Sequence, residues 1–211
     1  MIQKSHILQE EDERTPLKPI MVSTPLTFKH EFYLNGKIME PEYYMDIFHT
    51  IRNAEENDVI IFYINSPGGN ADTTIQFLSA IEDSPALFIC SVEGRCFSAS
   101  TLLFMKAQMF SIAPHSQFMF HNYSGGLSGK GGELKEQILH QTKWIETLLR
   151  DSYKYFFNEQ EIQQILEGKD FWMDGDEVTK RMEYRIEQLS REQAQANSNN
   201  LSTEKKKKNS K

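Results

Sequence analysis

The chain has 211 residues, a length that suits one compact domain with a sizeable hydrophobic core and loose ends. Its formal net charge is −7; residues 201–211 contribute +4, from five Lys and one Glu, which leaves −11 for the rest. An acidic body argues against nucleic-acid binding as the main task, so we interpret the lysine run as a solvated tail.

The cysteine content and the apolar runs indicate the cellular compartment in which the protein works. Two cysteines, Cys90 and Cys96, are too few for a disulfide framework and predict a reducing environment. The first fifteen residues are polar and contain no apolar stretch typical of a signal peptide. The strongest apolar run, residues 59–64, is far shorter than the roughly 20 residues that a membrane helix needs. We therefore predict a cytoplasmic protein with no membrane partner.

The composition divides the chain into three regions. Residues 1–29 contain three prolines and show no sustained periodicity, which predicts a flexible arm. Residues 30–188 carry alternating apolar patterns and form the predicted folded domain. From residue 189 onward the low hydrophobicity predicts a disordered, Lys-rich tail.

Strands and helices alternate in the predicted domain. In chain order the pattern predicts a strand at 32–38, a helix at 41–54, a strand at 59–64, a helix at 72–81, a strand at 86–92, a helix from about 98, short strands at 109–112 and 117–121, a long helix at 133–157 and a short helix to 166. Asn158 is the predicted N-cap of the short helix. The repeated β–α units predict an α/β fold with a largely parallel sheet.

A serine follows one of the predicted buried strands. Ser98 either caps the next helix or presents its hydroxyl as a nucleophile, with the N–H of Ala99 pointing into an oxyanion site. Ser100 is the rival nucleophile. The Gly68-Gly69 pair after residues 59–64 is likewise either a tight turn or a backbone that binds an oxyanion.

Candidates for a base and an acid follow later in the chain. His121 ends a short predicted strand, where it is either structural or a base within reach of the serine, and His115 is the nearest competitor. Asp170 either caps a following helix or orients the imidazole, with Asp174 and Asp176 as rivals. No metal-ligand spacing and no nucleotide-binding loop occurs, so we predict no metal and no cofactor in this chain.

Four segments together resemble the proteolytic subunit of Clp proteases in order and spacing. They are Tyr63-Ile64-Asn65-Ser66-Pro67-Gly68-Gly69, Gly94-Arg95-Cys96-Phe97-Ser98, Pro114-His115-Ser116-Gln117-Phe118-Met119-Phe120-His121 and Lys169-Asp170. The resemblance implies a crotonase-like fold, a ββα spiral that carries a handle of one strand plus a long helix. It also implies a catalytic triad of Ser98, His121 and Asp170, and an oxyanion hole formed by the N–H groups of Gly69 and Ala99.

The resemblance also implies an activity and an assembly. A member of this family is a serine endopeptidase that hydrolyses peptides or unfolded proteins. Residues 125–132 and the helix from Glu133 resemble the handle through which two heptameric rings stack into a tetradecamer. ATP would enter only through a partner unfoldase of the AAA+ class. The pair Ala99-Ser100 replaces the usual Met-Gly, which indicates a divergent or virus-encoded member.

The sequence is also compatible with two other functions. One is a catalytically inactive ring subunit, and the other is a crotonase-like acyl-CoA enzyme that uses the same backbone oxyanion design. The apolar stripe of the long helix, which contains Trp144, Ile145, Leu148 and Leu149, also has two interpretations. It either covers the core of its own chain or packs against a symmetry mate.

Overall fold

The computed structural model describes residues 27–126 and 128–208, with side chains up to residue 196. In chain order its elements are β1 (Lys29–Asn35), a 3-10 turn (Pro41–Tyr44), α1 (Met45–Arg52), β2 (Val59–Ser66), α2 (Ala71–Asp83), β3 (Leu87–Phe97), α3 (Ala99–Phe104), β4 (Met109–Ile112), β5 (Gln117–Phe120), α4 (Gly131–Ser152), α5 (Glu159–Leu166), β6 (Phe171–Asp174) and α6 (Gly175–Lys208). This order confirms the predicted α/β class.

The strands form one sheet in which β3 is the longest member. The order is β1-β2-β3-β5-β6, with β4 also beside β3, and among these pairs only β5 and β6 are antiparallel. Residues 89–92 of β3 pair with β4, and residues 95–97 pair with β5. Since parallel strands end at the same edge of a sheet, the residues that follow β2, β3 and β5 come together there.

An aromatic cluster joins the sheet to the helices beside it. Phe62 of β2 and Phe88 of β3 lie with ring centroids 5.1 Å apart, and Phe77 of α2 lies 5.5 Å from Phe62. All three are buried, and burial of such a side chain stabilises the fold by about 1.5–3 kcal/mol. The other face of β2 is only half-buried at Ile61 and Tyr63, although the apolar run predicts a strand covered on both faces.

The predicted handle is present only as a helix. Residues 121–126 and 128–130 form no strand, and a Cβ added at Gly125 or Gly126 would meet no atom within 4 Å. Among the residues that the structure describes, no strand pairs with this segment. Helix α4 ends at Ser152 instead of residue 157. The backbone leaves the helical region at Tyr153, with φ of −97° and ψ of +8°, and Tyr155 has a φ of +66°.

Strand β6 has no counterpart in the sequence prediction. It contains four residues, too few for a two-residue apolar period to be recognised. It pairs antiparallel with β5, and Phe171 lies opposite Phe120. This pairing places the residue before β6, Asp170, next to the residue after β5.

Both chain ends differ from the predicted boundaries. Strand β1 begins at Lys29, inside the predicted arm, whose residues 1–26 lie outside the described part of the chain. Helix α6 continues to Lys208, whereas the composition predicts a disordered tail from residue 189. Residues 189–196 are rich in Arg, Glu, Gln and Ala, which favour helix, and Glu192 contacts Lys154 at 2.8 Å. No helix in the part that the structure describes is long and apolar enough to cross a membrane.

Asn158 caps α5, as the sequence predicts. Its side-chain oxygen accepts a hydrogen bond from the N–H of Glu161 at 2.9 Å, and the Glu161 carboxylate accepts one from the N–H of Asn158 at 3.0 Å. The same carboxylate contacts Arg181 of α6 at 2.9 Å. The cap therefore starts the helix and also orients a side chain that joins α5 to α6.

We predict that Asn158→Ala lowers the free energy of unfolding by about 1 kcal/mol, because it leaves an N–H at the start of α5 without a partner. Urea denaturation of the two proteins measures this difference. Asn158→Asp keeps an acceptor oxygen and serves as the control, with stability close to that of the wild type. Equal midpoints for Asn158→Ala and the wild type would show that the cap contributes nothing.

Candidate active site

A single residue, Ser98, connects β3 to α3. It has φ of +55° and ψ of −127°, a region that residues other than glycine rarely adopt. Its N–H donates to the carbonyl of Met119 at 2.8 Å, and its carbonyl accepts from the N–H of Thr101 at 2.9 Å. Its hydroxyl makes no capping bond to α3. The capping interpretation is therefore wrong, and the hydroxyl is left for another partner.

That partner is His121. It follows β5 directly, and its Nε2 lies 2.6 Å from the Oγ of Ser98. The parallel register that places Cys96 beside Phe118 brings the ends of β3 and β5 together. The competitor His115 is exposed in the turn before β5, at the opposite end of that strand.

Among the three candidate acids, Asp170 lies nearest to the imidazole. Its Oδ1 is 3.9 Å from the Nδ1 of His121, an ion-pair contact that is longer than a hydrogen bond. The Asp170 side chain is 50 % exposed. Asp174 instead caps α6, since its Oδ1 accepts from the N–H of Glu177 at 2.9 Å. Asp176 lies exposed in the first turn of α6.

The other possible nucleophiles beside Ser98 are buried. Ser100 is fully buried, and its hydroxyl contacts the carbonyl oxygens of Phe97 at 2.7 Å and Ser66 at 3.2 Å. Its role is therefore to join α3 to the ends of β2 and β3. Cys96 is also fully buried, and burial raises the pKa of its thiol to about 12, so it stays protonated near neutral pH.

Two glycines after β2 approach this turn closely. Gly68 has φ of +86°, and a Cβ there would lie 2.6 Å from the Phe97 oxygen and 2.9 Å from the Ala99 nitrogen. A Cβ at Gly69, which has φ of +154°, would lie 2.3 Å from the oxygen of Ile38. Only glycine fits at these two positions, because the space and the backbone angles both exclude a side chain.

Two backbone amides are available beside the serine hydroxyl. In the described ranges 27–126 and 128–196, the N–H groups of Gly69 and Ala99 donate no hydrogen bond. Both residues line the same cleft as Ser98 and His121. Free amides at such a site can stabilise negative charge that develops on a carbonyl oxygen during attack by a nucleophile.

Helix α4 supplies an apolar wall to the cleft. Ile145 and Leu149 line it and are buried, and Leu148 lines it half-buried. These three of the four predicted stripe residues cover the core and the cleft of their own chain. Trp144 and the earlier part of the helix, which contains Leu139, stay exposed.

Asn122 and Tyr153 contribute to the cleft although the sequence does not single them out. Asn122 donates from its side chain to the carbonyl of Leu166 at 3.0 Å and so ties the segment after His121 to α5. Tyr153 lines the cleft from the end of α4, almost fully buried. An isolated asparagine or tyrosine at a helix end carries no pattern that would mark it as part of a site.

The comparison with known families agrees with the geometry. The Clp protease family model matches residues 31–182, which include most of β1, the whole cleft and the start of α6. The match covers well over half of the chain and contains every residue of the candidate site. The chain therefore belongs to the Clp protease family.

Proposed function

We propose that this chain is a serine endopeptidase in which Ser98 is the nucleophile, His121 the general base and Asp170 the residue that orients the base. The observation that carries the proposal is the 2.6 Å contact between the Oγ of Ser98 and the Nε2 of His121. The contact occurs at a strained strand-to-helix turn, beside two backbone amides that donate no hydrogen bond to any described residue. Membership of the Clp protease family, which implies a serine peptidase, supports the same conclusion.

The first half of the reaction follows from these positions. As the Oγ of Ser98 attacks a peptide carbonyl carbon, its proton moves to the Nε2 of His121. The carbonyl oxygen becomes an oxyanion that the N–H groups of Gly69 and Ala99 stabilise, and each such donor contributes on the order of 10²-fold or more to the rate. The imidazolium then donates its proton to the leaving amine.

The second half of the reaction releases the acyl group. Water attacks the acyl-enzyme while His121 accepts its proton. As the ester bond to Ser98 breaks, the imidazolium returns a proton to the Oγ, which releases the carboxylic acid and regenerates the enzyme. Asp170 stabilises the imidazolium in both halves. Its 3.9 Å separation from His121 shortens to a hydrogen bond when substrate excludes water, as is common for catalytic contacts in unliganded enzymes.

The exposed part of α4 supports assembly into stacked rings. Ile138 and Leu139, in the first half of α4, are 48 % and 61 % exposed, and Trp144, beside the buried Ile145, is 39 % exposed. Such side chains gain from burial against a second copy. We expect two rings that enclose a chamber, which limits the substrates to peptides and unfolded proteins. The expected location is the cytoplasm. A partner unfoldase of the AAA+ class would consume ATP to deliver folded substrates, whereas peptides would enter without it.

The first test identifies the nucleophile. We expect Ser98→Ala to abolish cleavage of unfolded casein and of peptides, because the attacking oxygen is removed. Ser100→Ala keeps activity, since its hydroxyl makes only structural contacts. A fluorophosphonate should label the wild-type chain, and fragment-ion mass spectrometry should place the adduct on Ser98. An adduct on Ser100, or an active Ser98→Ala protein, would refute the assignment.

The second test concerns the acid. Asp170→Asn keeps the shape of the side chain but favours the wrong imidazole tautomer, a change that costs about 10⁴-fold in kcat in a tightly bonded triad. We expect a loss of several orders of magnitude in peptide hydrolysis at neutral pH. Asp174→Asn, at the cap of α6, is the matched control and should turn over at nearly the wild-type rate. An inactive Asp174→Asn protein beside an active Asp170→Asn protein would assign the role of the acid to Asp174.

The third test concerns assembly. Sedimentation velocity should show a species many times heavier than the 24.6 kDa chain. We expect Leu139→Glu to break this species into smaller ones, because it places a charge on the apolar surface of α4. Leu139→Met keeps that surface apolar and should leave the large species intact. A dominant, active species near 25 kDa would rule out the ring.

A further inference from the structure

The strained turn at Ser98 is stabilised through its own carbonyl group. A backbone conformation of this kind costs about 1–3 kcal/mol and persists only where the surroundings impose it. The carbonyl of Ser98 accepts two hydrogen bonds, one from the N–H of Thr101 at 2.9 Å and one from the Thr101 hydroxyl at 2.6 Å. The first belongs to the turn of α3 itself, whereas the second depends on the side chain.

The hydroxyl of Thr101 is itself hydrogen-bonded to a second hydroxyl, that of Tyr153. The Oη of Tyr153 lies 2.8 Å from the Oγ1 of Thr101. A hydroxyl has one proton to donate, and that of Thr101 points to the Ser98 carbonyl, which can only accept. Tyr153 is therefore the donor to Thr101. Burial raises the pKa of the Tyr153 phenol above its ordinary value, so that it keeps its proton at any working pH.

This chain of hydrogen bonds ends at the oxyanion site. The carbonyl of Ser98 and the N–H of Ala99 belong to one trans peptide unit, so the two groups point in opposite directions. A donor that holds the carbonyl fixes the plane of the unit and so the direction of the N–H. Because hydrogen bonds in a chain polarise one another, it also makes the N–H a stronger donor.

We propose that Thr101 and Tyr153 are positioning residues, which hold and polarise the Ser98–Ala99 peptide so that the Ala99 N–H binds the oxyanion of the transition state. The inference rests on the proposed function. Both side chains are almost fully buried, and neither contacts the serine hydroxyl or His121 through a hydrogen bond in the described residues. Their effect on the reaction therefore passes through the peptide.

The test uses substitutions that keep the shape of each side chain. We expect Thr101→Val to lower kcat for a fluorogenic peptide by about 10-fold with little change in KM, since the bond acts mainly in the transition state. Affinity for a peptidyl boronic acid, whose tetrahedral adduct occupies the oxyanion site, should fall by a similar factor. Thr101→Ser keeps the hydroxyl and should retain the wild-type rate.

The Tyr153→Phe variant measures the contribution of Tyr153 separately from that of Thr101. We expect it to lower kcat about threefold in the wild type, through loss of polarisation alone. In the Thr101→Val background it should cause no further loss, because the chain is already broken there. Thr179→Val is the matched control: Thr179 donates to the carbonyl of Gly175 at 2.7 Å in α6, so this variant loses a comparable bond away from the cleft and should keep kcat.

The outcomes separate this inference from the proposed function. If the wild-type chain is not labelled by a fluorophosphonate at Ser98, the proposed function fails and this inference fails with it. If the wild type is labelled but Thr101→Val matches it in kcat and in boronic acid affinity, this inference alone is wrong. The same holds if Thr179→Val slows turnover as much as Thr101→Val, or if Tyr153→Phe adds its full effect to Thr101→Val.

Discussion

Ser98 occupies a backbone conformation that residues other than glycine rarely adopt, and contacts with the neighbouring segments impose it. Gly68 lies against the turn so closely that a single methyl group would overlap with the Phe97 carbonyl and the Ala99 nitrogen. The carbonyl of Met119 fixes the Ser98 amide from the other side. Two separate parts of the chain, the residues after β2 and the end of β5, therefore enclose the strained residue. This explains why the site lies where the ends of β2, β3 and β5 meet.

The length of β3 decides which residues meet there. Its first half pairs with β4, and its last residues extend beyond β4 and pair with β5. A shorter β3 would leave β5 paired only with β6, and His121 would then have no fixed distance to Ser98. The antiparallel pairing of β5 with β6 adds Asp170 to the same edge. Sheet pairing thus sets the distances between all three side chains, while the exposure of Asp170 leaves its contact with His121 the loosest of the set.

Helix α4 has two different halves. Its end packs into the core through Ile145 and Leu149, and Tyr153, directly after the helix, reaches the hydroxyl of Thr101. Its beginning carries exposed apolar side chains such as Leu139. The same element therefore carries the proposed assembly surface and leads directly to Tyr153, which supports the turn at Ser98. A displacement of α4 in an assembly would reach the site through Tyr153.

The sequence by itself determined most of the element order, because the apolar runs of β2 and β3 and the cap at Asn158 are local signals. It did not reveal β6, which is too short to show a period. It also implied a strand before α4, where the described residues form none. The ends of α4 and α6 also differ from the predicted ones, since the backbone leaves the helical region at Tyr153 in the first and helix-favouring residues extend the second.

The candidate residues could be named from the sequence, but the choice among them could not be made from local patterns. Ser98 and Ser100 are two residues apart and chemically identical. Only the fold buries Ser100 among carbonyl oxygens and brings His121 to the hydroxyl of Ser98. Nothing in the sequence links Tyr153 to this turn, because the two lie 55 residues apart. Motifs specify which groups are present, whereas distances between them depend on strand register and burial, which arise only when the chain folds.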